Sequence, residues 1–266
     1  MSVVLFSIGN FPIYTHGVIT ALAAALAYGM ALFLTAGTPY REHVTNMVTY
    51  LAVGAIAGAR IWHVFFFQWG YYSKHLGEIV AIWSGGISIQ GALIGGFAAM
   101  IVYALRHRLS FWEMADYLAP AIVLGQSIGR IGCFMNGDAY GSPTGLGFGM
   151  VYREGTYAYD AYGSQPLWPA ELFESQWDLI VFVLLLLSKG RLRVKGLLFL
   201  AYNVLYSLGR FNLEWLRGDS PEYAFGWTAG QWTSFVVVVL GVGIGIYLYV
   251  LDRRRLNSAA RGPHFL

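Results

Sequence analysis

Long apolar runs dominate the pattern of this chain, and short polar or aromatic segments separate them. A spanning helix needs about 20 mostly apolar residues. On that measure the sequence predicts seven spans, at 18–36, 44–67, 84–105, 111–133, 169–187, 196–216 and 228–251. The stretch before them contains Pro12 with Phe6, Phe11 and Tyr14, and reads as an interfacial segment. It lacks a basic start and a small-residue cleavage site, so the first span is expected to be retained. Residues 134–168 are rich in Gly, Tyr and Pro, too polar to span and too long for a plain connector. They are expected to form an outer loop that caps a site.

Composition agrees with the pattern. The 266 residues are 57% hydrophobic and 12% charged, with a mean hydropathy of +0.54. The fold class expected is an all-α polytopic membrane protein, one membrane domain over 1–266. Charge adds orientation. Arg41, Arg106, Arg108, Lys189, Arg191, Arg193, Lys195, Arg253, Arg254, Arg255 and Arg261 fall on one side, and Lys74, Arg153 and Arg217 on the other. The positive-inside bias puts the N-terminus outside and the C-terminus in the cytoplasm. The single cysteine, Cys133, excludes an internal disulfide and a cysteine-only metal cluster. No cofactor, metal or nucleic-acid partner is expected.

Three arginines remain, Arg60, Arg130 and Arg210, each inside a span. An arginine near the bilayer centre costs at least ~2.5 kcal/mol on insertion scales. Counting along the helices puts all three in the outer half of the bilayer, with His16, Gln90, Glu171 and Glu174 at related depth. One reading is mutual pairing, Arg130 with Asp138 and Arg210 with Glu214 one turn away. The sharper reading is an anion site, because guanidinium matches phosphate and glycines around Arg130 let backbone amides approach the same oxygens. An anion reaching that depth from outside is a phospholipid headgroup. Glu171 starts a helix, where the dipole already favours negative charge. Gly91 and Gly95 have the spacing of close helix packing, within one chain or between two.

The stretch from Gly129 to Gly141 resembles the signature Gly-Arg-x-Gly-Asn-Phe-x-Asn-x-Glu-x-x-Gly of the prolipoprotein diacylglyceryl transferase family, matching at Gly129, Arg130, Gly132, Phe134, Asn136 and Gly141. Further blocks agree in order: 6–9 with Gly17, 58–61, 85–89, Asp116 with Pro120, Pro169 with Glu174, and Arg210 with Glu214 and Arg217. The resemblance implies a multi-pass enzyme of the cytoplasmic (inner) membrane, with its site in the outer half. It would move diacylglycerol from phosphatidylglycerol to the lipobox cysteine of a prolipoprotein signal peptide and release glycerol phosphate.

The chain also departs from the family, which carries His where this chain has Gln90, Asn at Cys133, Glu at Asp138 and Tyr at His16. A glutamine amide cannot take a thiol proton, so His16 is the candidate substitute base. The catalytic set expected is therefore Arg130, Arg210, His16 and Gln90. The substrate-binding set is Arg60, Gly129, Cys133, Asn136, Asp138, Gly141, Glu174 and Glu214. Two other classes stand open: a relative that uses another acceptor or only binds lipid, and an anion transporter, for which repeats or broken helices near the midplane are missing.

Overall fold

The computed structural model describes residues 3–9 and 11–260. The N-terminal segment is not a plain interfacial stretch. It pairs as an antiparallel hairpin of β1 (Val4–Ile8) and β2 (Phe11–Tyr14), the strand element that an all-α expectation omits. Helices follow: α1 (Thr15–Leu34), α2 (Tyr40–Trp62) with a π-helical extension over His63–Phe67, the short α3 (Trp69–Tyr72), α4 (Ile89–Arg106), α5 (Phe111–Asn136), α6 (Tyr157–Tyr162), α7 (Ala170–Ser188), α8 (Leu197–Leu213) and α9 (Ala229–Ala260).

Each of the seven expected spans corresponds to a helix, with shifted ends. The third begins at Ile89 because Gly85 and Gly86 adopt φ of 86° and 75°, outside helical space, and Ser88 caps the first turn through Gly91 N. Five helices are long and apolar enough to cross a membrane: α1, α2 with its extension, α4, α5 and α9. The other two fall outside that class for identifiable reasons. The 19 residues of α7 include Glu171, Glu174 and Asp178, and α8 is only 17 residues long. Apolar side chains such as Phe33, Leu93, Val239 and Ile246 point outward from the long helices, as expected of surfaces that meet lipid.

The chain divides into two compact units, 32–114 and the remainder. In the first, α2 and α4 cross at glycines. A Cβ on Gly58 would come within 2.3 Å of Gly91 O, and one on Gly95 within 2.1 Å of Gly54 O. The Gly91/Gly95 spacing therefore serves packing inside this chain, matched by Gly54/Gly58 on the facing helix. In the second unit, α5, α7 and α8 share a core of Ala119, Val123, Val181, Leu185, Leu198 and Tyr202. Two serines tie α5 to α7 reciprocally: Ser127 Oγ donates to Ser175 O and Ser175 Oγ to Ser127 O, both at 2.8 Å. Asp116 of α5 caps α8 from outside it, accepting from Gly196 N at 2.6 Å and Phe199 N at 2.8 Å.

Candidate active site

Three guanidinium groups of the second unit converge on one carboxylate. Arg130 lies in the last two turns of α5, Glu174 in the second turn of α7, and Arg210 in the last turn of α8. Arg130 Nη2 is 2.7 Å from Glu174 Oε2. Arg210 pairs with Glu174 Oε1 and, through Nη2, with Glu214 Oε2 at 2.9 Å. Arg217 Nη1 stands 3.4 Å from Glu174 Oε1, while its Nε and Nη2 fork onto Asp219, each at 2.6 Å.

Burial orders this cluster. The side chains of Glu174 and Glu214 are 4% and 1% exposed, those of Arg130 and Arg210 19% each, so the acids lie beneath and the guanidinium groups face outward. Buried carboxylates of this kind fix the orientation of the arginines while leaving donor positions for a further anion. The Arg130 pair engages only one of its terminal nitrogens.

Local sequence explains the placement. Glu171, Glu174 and Asp178 recur at i, i+3 and i+7, so all three occupy one face of α7, and all three are buried. Gly230 leaves room for the Glu214 carboxylate, which also accepts from Thr228 Oγ1 at 2.9 Å. Gly209 does the same for the Trp177 indole, whose Nε1 donates to Leu205 O at 2.9 Å. A void of about 10 Å³ remains among Glu174, Trp177, Asp178, Tyr206, Arg210 and Leu213, room for one water beside the buried Asp178.

The expected outer loop folds onto this end of the helices. Phe134, Tyr152, Ala158 and Leu167 form a second small core. Tyr152 donates its hydroxyl to both oxygens of Glu171, at 2.9 and 2.8 Å, so Glu171 holds the loop rather than merely starting a helix. Burial and the adjacent Glu171 carboxylate push the Tyr152 phenol up, and it stays a proton donor. Gly141 lies between two backbones: its N–H donates to Trp168 O at 3.1 Å, it bridges to Arg217, and an added Cβ would fall 2.2 Å from Trp168 O. Its missing side chain is a steric requirement that sets Arg217 in place.

Several sequence expectations change. Arg210 does pair with Glu214, but Arg130 pairs with Glu174 and not with Asp138. Asp138 is turned the other way by the end of α5. Gly137 at φ 70° lets the chain reverse, and the amides of Gly137 and Asp138 both donate to Cys133 O, at 2.8 and 3.2 Å. Asn136 Nδ2 then donates to Asp138 Oδ1 at 3.3 Å. A cradle of backbone amides around Arg130 does not form, because 111–136 is continuous helix and its amides are spent within it; Gly129 faces open space.

Arg60 is no anion ligand in this structure. It is buried, and donates to four carbonyls of its own unit, Glu78, Ile79, Gly85 and Gly86, at 2.6–2.8 Å, with Tyr72 stacked against it. Gln90 is likewise engaged locally, accepting from Ser88 Oγ at 2.7 Å. His16 is placed with Cys133 and Asp138, one ligand atom of each lying within 4.8 Å of the others. Sequence reasoning missed Arg217 and Asp178 as site residues. The i, i+3, i+7 acids and the alternation of Arg217 with Asp219 were the available signals.

The fold and the cluster together define a helical membrane protein in which partly exposed arginines are set over buried carboxylates where α5, α7 and α8 meet. The chain belongs to the prolipoprotein diacylglyceryl transferase family, whose model matches residues 3–247. It is similar to proteins named phosphatidylglycerol–prolipoprotein diacylglyceryl transferase from Acaryochloris marina (37% identical; 94% of this chain, 91% of that one), Nostoc sp. (38%; 94% and 90%) and Geobacillus kaustophilus (38%; 91% and 91%).

Proposed function

We propose that this protein transfers the diacylglyceryl group of phosphatidylglycerol to the lipobox cysteine thiol of a prolipoprotein signal peptide, releasing glycerol phosphate. The observation that carries this reading is the Arg130–Glu174–Arg210–Glu214 cluster in a chain of this family. Arg130 and Arg210 hold the phosphate of the headgroup and stabilise the charge that grows on it as the glyceryl carbon–oxygen bond breaks. Glu174 and Glu214 orient them, and Arg217, anchored by Asp219, adds positive charge at the same carboxylate. The acceptor thiol enters on the His16, Cys133 and Asp138 side, since Cys133 is one turn from Arg130 on α5.

The lysine and arginine bias supports an N-terminus outside; on our reading of seven spans the cluster then lies in the outer half of the cytoplasmic membrane, with 134–168 as its outer cap. Membrane lipid and the signal peptide are then the partners. The direct test is to incubate purified protein with head-labelled phosphatidylglycerol and a peptide bearing a lipobox cysteine. Lipidated peptide and released glycerol phosphate in equal amounts support the reading. Release without lipidation points to another acceptor, and no release leaves a lipid-binding protein.

A further inference from the structure

The hairpin places α1 so that His16, in its first turn, lies against α5 at Gly132, where an added Cβ would come 3.3 Å from the imidazole Nδ1. That Nδ1 is buried and lacks a hydrogen-bond partner among the described residues. Near the imidazole ring are the Cys133 sulfur and a carboxylate oxygen of Asp138, the residue that follows the reversal at Gly137. Nitrogen, sulfur and oxygen donors within 4.8 Å of one another are a three-residue set. Tetrahedral zinc, with bonds near 2.0–2.3 Å, separates its ligand atoms by roughly 3.3–3.7 Å, so about an ångström of side-chain rotation closes the triangle.

We propose that His16, Cys133 and Asp138 bind a zinc ion whose fourth position receives the thiol of the acceptor cysteine. The inference rests on the transfer reading above and deepens it. Mixed imidazole, thiolate and carboxylate ligands suit zinc, and three protein ligands with an open position are the arrangement of zinc sites that act on a substrate. A thiol coordinated to zinc is deprotonated outright, which supplies what Gln90 cannot. The thiol proton passes to solvent. The sulfur then attacks the glyceryl carbon; a sulfur–carbon bond forms, the carbon–oxygen bond breaks, and its electron pair leaves on the phosphate held by Arg130 and Arg210. No oxidant or reductant is needed.

The test uses full-length protein in detergent, stripped with a chelator and resupplied with Zn²⁺. Elemental analysis should find about one zinc per chain. Cys133→Asn and, separately, His16→Tyr should each weaken zinc binding by at least about 100-fold, the upper range that loss of an outer-shell partner already costs. Co²⁺ in place of zinc should give sulfur-to-metal charge-transfer absorption that Cys133→Asn abolishes. If a single variant misfolds, the triple variant His16→Gln, Cys133→Ser, Asp138→Asn, which keeps each side chain close to its size, should fold yet hold no zinc. Stripped protein should lose lipidation activity by about 100-fold or more and regain it with Zn²⁺, while vesicles of phosphatidylglycerol still raise its melting temperature. Wild-type protein that holds no more zinc than Cys133→Asn, or that transfers fully after chelation, overturns the metal site and leaves the transfer reading intact. Zinc bound with no lipidation under any condition overturns the transfer reading and leaves the metal site.

Discussion

At the scale of single residues, the same side chain, arginine inside an apolar helix, is stabilised in two different ways. Among the described residues no carboxylate pairs with Arg60; its charge is solvated by four carbonyls and an aromatic face. Lysine cannot span those carbonyls, because its ammonium is a single point with three donors. Arg60→Lys should therefore release the 78–86 segment, read as faster proteolysis there and a lower melting temperature. Arg130 and Arg210 instead share Glu174. Removing one partner of a buried ion pair costs about 3–5 kcal/mol, so Glu174→Gln should lower the melting temperature and also abolish transfer, whereas Gln90→Ala, at a residue whose amide oxygen accepts from Ser88, should keep most of it. A transfer assay beside a thermal scan on each variant separates the two effects.

At the scale of elements, glycine decides how near two helices come and where one stops. The α2–α4 crossing leaves no space for a methyl group at Gly58, Gly91 or Gly95. Gly95→Val should force the pair apart and cost more than the 1–3 kcal/mol of ordinary overpacking, because the clash is with backbone; loss of folded protein on size-exclusion chromatography would register it. Helix ends matter as much. Asp116 caps α8 across space, and Asp116→Ala should cost about 1 kcal/mol, the usual value of a lost cap, seen as a modest drop in melting temperature. At the other end of α5, Ala139 at φ 67° is held in a left-handed conformation that costs roughly 1–2 kcal/mol for an L-residue. Such strain beside Asp138 is retained where the surrounding structure fixes it, as at a working site. Ala139→Gly should raise stability slightly if strain is all that residue supplies.

At the scale of the whole molecule, family membership and the apolar length of five helices make this a membrane enzyme. The charge bias predicts that a fluorescent protein fused after Asn257 fluoresces in the cytoplasm, while an alkaline phosphatase fused there is inactive; the opposite pair of results would reverse the orientation. The sequence alone determined much of the helical plan, since each apolar run corresponds to a helix, and it marked Arg130 and Arg210 as buried charges in need of partners and Arg210 with Glu214 as neighbours one turn apart, because i, i+4 spacing and the cost of intramembrane charge are local properties. It left the partners of those arginines undecided. Only tertiary structure settled that Arg130 turns to Glu174, 44 positions along the chain, that Arg60 spends its donors on carbonyls, and that His16 meets Cys133 and Asp138. Burial makes an ionic group take whatever partner packing brings within reach, and packing joins residues that no periodicity links. The Gly129–Gly141 stretch shows both halves: its arginine was legible as a charge in need of a counterion, but the reversal at Gly137 gave Asp138 to Cys133 and left that counterion to α7.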